Sequence, residues 1–213
     1  MYPPVEVAHI QEEKDWANRV TAAEQDLLER LPDTFLLGAS RFVEYKALDL
    51  VIDAGAQVGL PVVLAGSGPL ARYLVNRAQN ASVPVTIISA PSDQLLYALY
   101  QRALAFIFPP VEDFGIMPVE AMAAGCPVIV NRRGGTTESV STAVSGFKID
   151  NFSGADLTNA ISAVASLNRN EIQASVLRFN SQRFRAELKS WIEGQELPTT
   201  LAAQEPSHAQ LSR

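Results

Sequence analysis

The sequence predicts an α/β fold: a Rossmann-like, doubly wound parallel sheet of about six strands with helices on both faces. Short runs rich in Val, Ile, Leu and Phe alternate with helix-length segments from residue 35 to residue 150, as in consecutive βαβ units. Loops marked by Gly and Pro fall where the apolar runs end. In a parallel sheet those loops meet at the carboxyl edge, where ligands bind.

The predicted strands and helices follow one another at regular spacing. The apolar runs that we interpret as strands are 35–39, 61–65, 83–88, 104–108, 127–130 and 146–149. Residues 47–58 space their apolar side chains like a helix with one buried face, and Gly59 is a suitable C-terminal cap. Three more helices, at about 153–167, 170–178 and 181–193, are expected after the last strand.

The chain divides into three predicted regions. Residues 1–33 are interpreted as a linker and an N-terminal helix, because two prolines open the chain and residues 11–31 permit a helix. Residues 34–194 are predicted to form the Rossmann-like domain. Residues 195–213 hold two prolines and mostly small or polar side chains, so we expect a disordered tail there.

Composition and charge exclude several classes of function. A net charge of −6 argues against a nucleic-acid surface. The one cysteine, Cys126, leaves no internal disulfide, and we expect neither a metal site nor a cofactor. Both histidines, His9 and His208, lie outside the expected core, so we expect no nucleophilic triad. With no apolar run of about 20 residues, we expect a soluble, cytoplasmic domain without a transmembrane segment. Peripheral membrane contact is left open.

Two features near the first two strands suit an anionic ligand. Arg41 and Lys46 follow the first strand, and their side chains suit a diphosphate. Gly66 and Gly68 form a turn into a helix start, where backbone N–H groups receive anions. Each has an ordinary alternative: a solvated loop for the first and a plain strand-to-helix turn for the second.

Two further features lie beyond the fourth and fifth strands. Glu112 stands in the loop after the fourth strand, and Glu120, with seven residues between, is placed in the first turn of the next helix. Carboxylates can grip vicinal hydroxyls, but Glu120 could instead favour the helix dipole and Glu112 could lie in an exposed turn. Gly134 and Gly135 offer close backbone approach to a phosphate or a sugar, although loop geometry alone also explains them.

In their order, these motifs resemble the C-terminal, donor-binding domain of GT-B glycosyltransferases of family 4 (glycosyl transferases group 1). The resemblance runs from Phe35 to about Asp150. Its motifs are Gly38 through Arg41 to Lys46-Ala47, the turn at 66–68, Glu112-Asp-Phe-Gly-Ile-Met-Pro-Val-Glu120 and Gly134-Gly-Thr-Thr-Glu138.

The resemblance implies a role for each matched residue. Arg41 and Lys46 are expected to bind the diphosphate of a UDP-, GDP- or ADP-sugar. Glu120 is expected to bind the ribose, while Glu112 and the backbone of Phe114 and Gly115 meet the sugar. Gly66, Gly68, Gly134 and Gly135 are expected to shape the pocket. The implied enzyme is a retaining, metal-independent hexosyltransferase.

The sequence departs from the family pattern in detail and in extent. Ala47 and Asp113 stand where the family usually has glycine, and one extra residue separates Gly38 from Arg41. The family's N-terminal acceptor domain has no counterpart here, so the isolated chain is expected to be inactive and to contain no catalytic residue of its own. Two alternatives remain: a non-catalytic remnant or interaction module, and, ranked below it, a nucleotide-sugar epimerase.

Overall fold

A computed structural model describes residues 2–194, and these residues build one six-stranded parallel sheet. The strands are β1 (Leu36–Ala39), β2 (Val62–Gly66), β3 (Val85–Ser89), β4 (Ala105–Phe108), β5 (Val128–Asn131) and β6 (Gly146–Ile149). Their order across the sheet is β3-β2-β1-β4-β5-β6, and every pairing is parallel. The predicted fold class is confirmed.

Helices connect the strands and flank the sheet. They are α1 (Val7–Glu12), α2 (Ala22–Glu29), α3 (Asp49–Val58), α4 (Ala71–Gln79), α5 (Asp93–Arg102), α6 (Ile116–Ala123), α7 (Thr136–Ser139), α8 (Gly154–Val164), α9 (Arg169–Ser175) and α10 (Ser181–Ile192). Short 3₁₀ segments lie at Trp16–Arg19, Glu44–Lys46 and Leu177–Phe179. No helix within residues 2–194 is long and apolar enough to cross a bilayer.

Alternate side chains of the strands supply two separate hydrophobic layers. Leu37, Val63 and Phe106 point to the face covered by α1, α2, α5, α6 and α9. Leu36 and Leu64 point to the opposite face, which α3, α4 and α8 cover. Because both faces are buried, the strands read as nearly continuous apolar runs, which is why the sequence locates them well.

The strand order reverses between β1 and β4. From β1 the chain winds outward through β2 and β3, then returns to place β4 on the other side of β1. Such a reversal leaves a crevice beyond the carboxyl ends of the two central strands. The loop after β1 carries Lys46, and the loop after β4 carries Glu112.

Residues 2–33 pack onto one face of the sheet. Val5, Ile10, Trp16 and Leu28 are all buried in the core on that face. The predicted helix over 11–31 is wrong as a single element, since it is three short ones with breaks near Asp15 and Thr21. The domain boundary at residue 33 stays a prediction, and the predicted tail at 195–213 lies outside the described residues.

Candidate functional site

Lys46 and Glu112 form an ion pair at the reversal point of the sheet. Their side chains retain 11% and 21% of their exposure, so the pair is largely shielded from water. The Lys46 amine lies 4.9 Å from the centre of the Tyr45 ring and 5.5 Å from that of Phe108. Two aromatic faces therefore hold the cation in place beside its carboxylate.

Arg41 lies in the same loop and is exposed. Hydrogen bonding from Arg41, followed by the charge of Lys46, lowers the pKa of the exposed Tyr45. The two basic side chains therefore converge on one phenol. Ala47 adopts a left-handed conformation with φ of 48°, which explains why glycine is the more usual residue there.

The glycine turn after β2 packs directly on the loop that carries Arg41. Phe42 N–H donates to the Ser67 carbonyl at 2.8 Å, and its own carbonyl accepts from Leu70 N–H at 3.0 Å. A Cβ on Gly68, whose φ is 153°, would lie 2.7 Å from the Phe42 carbonyl oxygen. The first and second sequence features are thus one packed unit, and it requires glycine.

The loop after β4 and the loop after β5 are interlocked in the same way. Gly135 N–H donates to the Glu112 carbonyl at 2.7 Å. A Cβ on Gly135 would overlap the Asp113 carbonyl, and one on Gly115 would overlap the Thr136 side chain. The glycines at 134–135 therefore hold the Glu112 loop, a structural role in line with the loop-geometry alternative, although the motif did not indicate which loop they contact.

The prediction that Glu120 lies in a first helical turn is wrong. Gly115, with φ of 81°, precedes α6, which begins at Ile116, so Glu120 is its fifth residue. The carboxylate lies beyond the first turn, so a favourable interaction with the helix dipole does not explain why an acid stands at this position. Burial, and then the charge of Asp93, raises its pKa.

The charge of Glu120 acts on two tyrosines of α5, Tyr97 and Tyr100. Burial raises the pKa of Tyr97 to about 12, and the negative charge of Glu120 is the second-largest cause of this increase. Burial also raises the pKa of Tyr100, whose buried hydroxyl has no hydrogen-bond partner within residues 2–194. Sequence reasoning missed these neighbours, although Tyr97 and Tyr100 repeat at helical spacing.

Two cavities of similar volume lie at opposite edges of the sheet. The one at the carboxyl edge measures about 580 Å³ and holds Lys46 and Glu112; its lining also includes Pro3, Tyr45, Phe114, Gly115 and Met117. The one at the amino edge measures about 570 Å³. There the Arg169 guanidinium donates to the carbonyls of Gln101, Ala103 and Gly125, so three of its five N–H donors are already used. Within residues 2–194, no His, Cys, Asp or Glu side chains group as metal ligands.

Comparison with known proteins matches the chain to one family model, glycosyl transferases group 1, over residues 20–177. An uncharacterised glycosyltransferase of Methanocaldococcus jannaschii is 31% identical over 121 residues, which are 54% of this chain and 31% of that protein. A GDP-mannose-dependent α-(1-6)-phosphatidylinositol dimannoside mannosyltransferase of Mycobacterium tuberculosis is 30% identical over 145 residues, 68% of this chain and 35% of that protein.

Solved structures share the fold at lower identity. The structure of Anabaena HepE in complex with UDP-glucose gives a TM-score of 0.66 at 22% identity, covering 82% of this chain and 54% of that one. AviGT4, a glycosyltransferase involved in avilamycin A biosynthesis, gives 0.65 at 19% identity, covering 91% and 58%. The chain thus spans about a third of the curated relatives it matches and about half of the solved ones.

Proposed function

The chain belongs to the glycosyl transferases group 1 family, and we propose that it is the domain that binds a nucleoside-diphospho-sugar donor. The observation that carries this proposal is the Lys46–Glu112 pair. A cation suited to a diphosphate and a carboxylate suited to sugar hydroxyls meet where the strand order reverses. In an α/β sheet that crevice is the expected position of a nucleotide ligand.

We infer that the ligand exchanges partners with this ion pair. The diphosphate takes Lys46, with Arg41 as a second cation on the same loop, and the sugar hydroxyls take Glu112. The backbone of Phe114 and Gly115 lines the sugar position, and Gly66 and Gly68 allow close approach to the phosphates. Glu120 is proposed to accept hydrogen bonds from the ribose hydroxyls. Its carboxylate interacts electrostatically with Tyr97 and Asp93.

The finer assignment is also a proposal. We propose a hexose donor, because GDP-mannose appears in the name of the mycobacterial relative and UDP-glucose in the Anabaena structure. We propose a retaining, metal-independent reaction on the family resemblance, with Arg41 and Lys46 supplying the positive charge beside the diphosphate. Since the chain spans about a third of its relatives, we propose that transfer also needs the N-terminal acceptor domain that the family resemblance implies.

Isothermal titration with UDP, GDP and ADP in the presence of EDTA tests this proposal. We expect one nucleotide to bind at one site per chain, and Glu120→Ala to weaken it by about 10- to 100-fold, the loss of hydrogen bonds to a charged group. Glu171→Ala, an exposed acid on α9, is the matched control. A folded chain that binds none of the three at millimolar concentration would overturn the proposal.

A second candidate is a non-catalytic interaction module that retains the fold. One observation favours it: Lys46 and Glu112 neutralise each other, so the site satisfies its own charges without a ligand. The same titration separates the two candidates. An interaction module leaves the nucleotides unbound, whereas a donor domain exchanges the ion pair for phosphate and sugar.

A further inference from the structure

Three aromatic rings join the start of the chain to the Glu112 loop. The Tyr2 ring lies 6.0 Å from Phe114 and 5.0 Å from Phe179, and the Phe114 and Phe179 rings lie 5.4 Å apart. Each ring therefore touches the other two. The two contacts with Phe179 are edge-to-face, the favoured arrangement of aromatic pairs. We call Tyr2, Phe114 and Phe179 the three-ring cluster.

Phe179 is the fixed member of the cluster. Its ring is only 2% exposed, and its carbonyl accepts from Val5 N–H at 3.0 Å. The Val5 carbonyl in turn accepts from Ser181 N–H at 3.2 Å. The arm at residues 2–5 is thus anchored by backbone hydrogen bonds just beyond Tyr2, which limits where the Tyr2 ring can go.

Phe114 is the member that belongs to the proposed donor site. It stands two residues after Glu112 and directly before Gly115, which precedes α6. The arm reaches the same place, since Pro3 lines the carboxyl-edge cavity together with Glu112 and Gly115. Tyr2 is 36% exposed and covers one side of Phe114. Without that ring, Phe114 loses one of its two aromatic neighbours.

Arg178 connects the cluster to the other glycine loop. Its guanidinium carbon lies 4.7 Å from the centre of the Phe179 ring and 5.9 Å from that of Tyr2. One of its nitrogens donates to the Glu138 carbonyl at 2.6 Å, at the helix that follows Gly134 and Gly135. The arm, the Glu112 loop and the Gly134–Gly135 loop therefore meet through a single group of side chains.

We propose that Tyr2 is a positioning residue for the donor site: its ring holds the Phe114–Gly115 backbone in the geometry that receives the sugar. A loop fixed before binding loses less conformational entropy when the ligand arrives, so its affinity is higher. The proposal rests on the donor function for its effect on binding, but its effect on the loop does not depend on a ligand.

Hydrogen exchange of the ligand-free chain tests the loop directly. We expect Tyr2→Ala to speed amide exchange across residues 111–117 by at least about threefold, because local opening governs exchange. Tyr2→Phe keeps the ring and should exchange like the wild type. Trp191→Ala removes a more exposed aromatic at the end of α10 and is the control. Unchanged exchange in Tyr2→Ala would overturn the proposal.

Binding provides the second measurement. Using the nucleotide that binds the wild type, we expect Tyr2→Ala to weaken the nucleotide-sugar by about 3- to 10-fold and the parent diphosphate less, because Phe114 lies on the sugar side. Equal losses for both ligands, or none, would contradict the sugar-side role. If the wild type binds no nucleotide, the donor function fails while the exchange result still decides the role of Tyr2. Should Tyr2→Ala unfold, Tyr2→Leu, which keeps the apolar volume, decides by the same exchange criterion.

Discussion

Glu120 is a carboxylate placed where its charge is disfavoured. Burial raises its pKa, and Asp93 adds to the effect. A raised pKa means that the folded chain holds the proton more tightly than the unfolded chain does. The contribution of Glu120 to stability is therefore most favourable below its unfolded pKa, and it falls as pH rises through the folded pKa. Glu120 thus lowers the stability of the ligand-free protein at neutral pH, and such a perturbed carboxylate is typical of a ligand-binding site.

Replacing Glu120 by Gln should therefore stabilise the ligand-free protein at pH 7. The amide keeps the shape and removes the buried charge, so the midpoint of thermal unfolding should rise at pH 7 and change less at pH 4. Thermal unfolding followed at both pH values measures the difference. Glu171→Gln should show neither effect, and a Glu120→Gln protein less stable than the wild type at pH 7 would contradict the account.

The sequence names most residues of the candidate site but does not show which of them are in contact. Lys46 and Glu112 are separated by 66 positions, and only the strand order brings them into contact. Glu120 is predicted in the first helical turn, but it is the fifth residue of α6. In the structure the helix begins two residues before Pro118.

Interlocked loops define the site at the scale of elements. Four glycines permit backbone contacts that side chains would block. Gly66 and Gly68 do so between the loops after β1 and β2, and Gly134 and Gly135 between the loops after β4 and β5. Periodicity could locate the strands within one or two residues because they are buried on both faces. It could not show that these glycines serve mutual packing of loops, since a motif does not state its neighbours.

Gly135→Ala should disrupt the Glu112 loop. Gly135 has an ordinary φ of −69°, so the added methyl acts only through its overlap with the Asp113 carbonyl. Nucleotide-sugar binding, measured by titration, should weaken by more than about tenfold as the loop shifts. Gly59→Ala is the matched control: its φ of 71° brings strain but its Cβ meets nothing within 4 Å. It should cost about 1 kcal/mol of stability and leave binding unchanged.

The N-terminal segment shows where sequence patterns lose information. Thr21 and Glu24 form a capping box that begins α2, and Asp15 accepts a hydrogen bond from Ala17 N–H at the 3₁₀ turn. The Thr-x-x-Glu spacing was visible in the sequence and signals a helix start. Because the N-terminal segment is only weakly amphipathic, the sequence does not show that α1 packs against α6 and the 3₁₀ turn against α5.

At the scale of the whole molecule, the N-terminal segment completes one face of the core. Trp16 is 4% exposed, its indole N–H donates to the Ile10 carbonyl at 3.0 Å, and its ring lies 4.9 Å from that of Tyr97. The segment therefore contributes buried area to the same layer as α5 and α6 rather than acting only as a connector.

Trp16→Ala should lower the free energy of unfolding by about 3–5 kcal/mol, the usual cost of deleting a buried aromatic side chain. Trp191→Ala, at a site that is 73% exposed, should change it by less than about 0.5 kcal/mol. Equilibrium denaturation in urea measures both. Equal, small effects would show that residues 1–33 lie outside the cooperative unit.

The central claim is that the carboxyl edge of the sheet, between β1 and β4, receives a nucleotide-sugar. Hydrogen-exchange mass spectrometry with saturating UDP-, GDP- or ADP-glucose tests it most directly, because the amino edge holds a cavity of similar volume as an internal control. We expect one ligand to protect residues 40–47, 111–121 and 131–138 and to leave 98–102 and 169–173 unchanged. Protection at the amino edge instead, or none with any of the three, would contradict the claim.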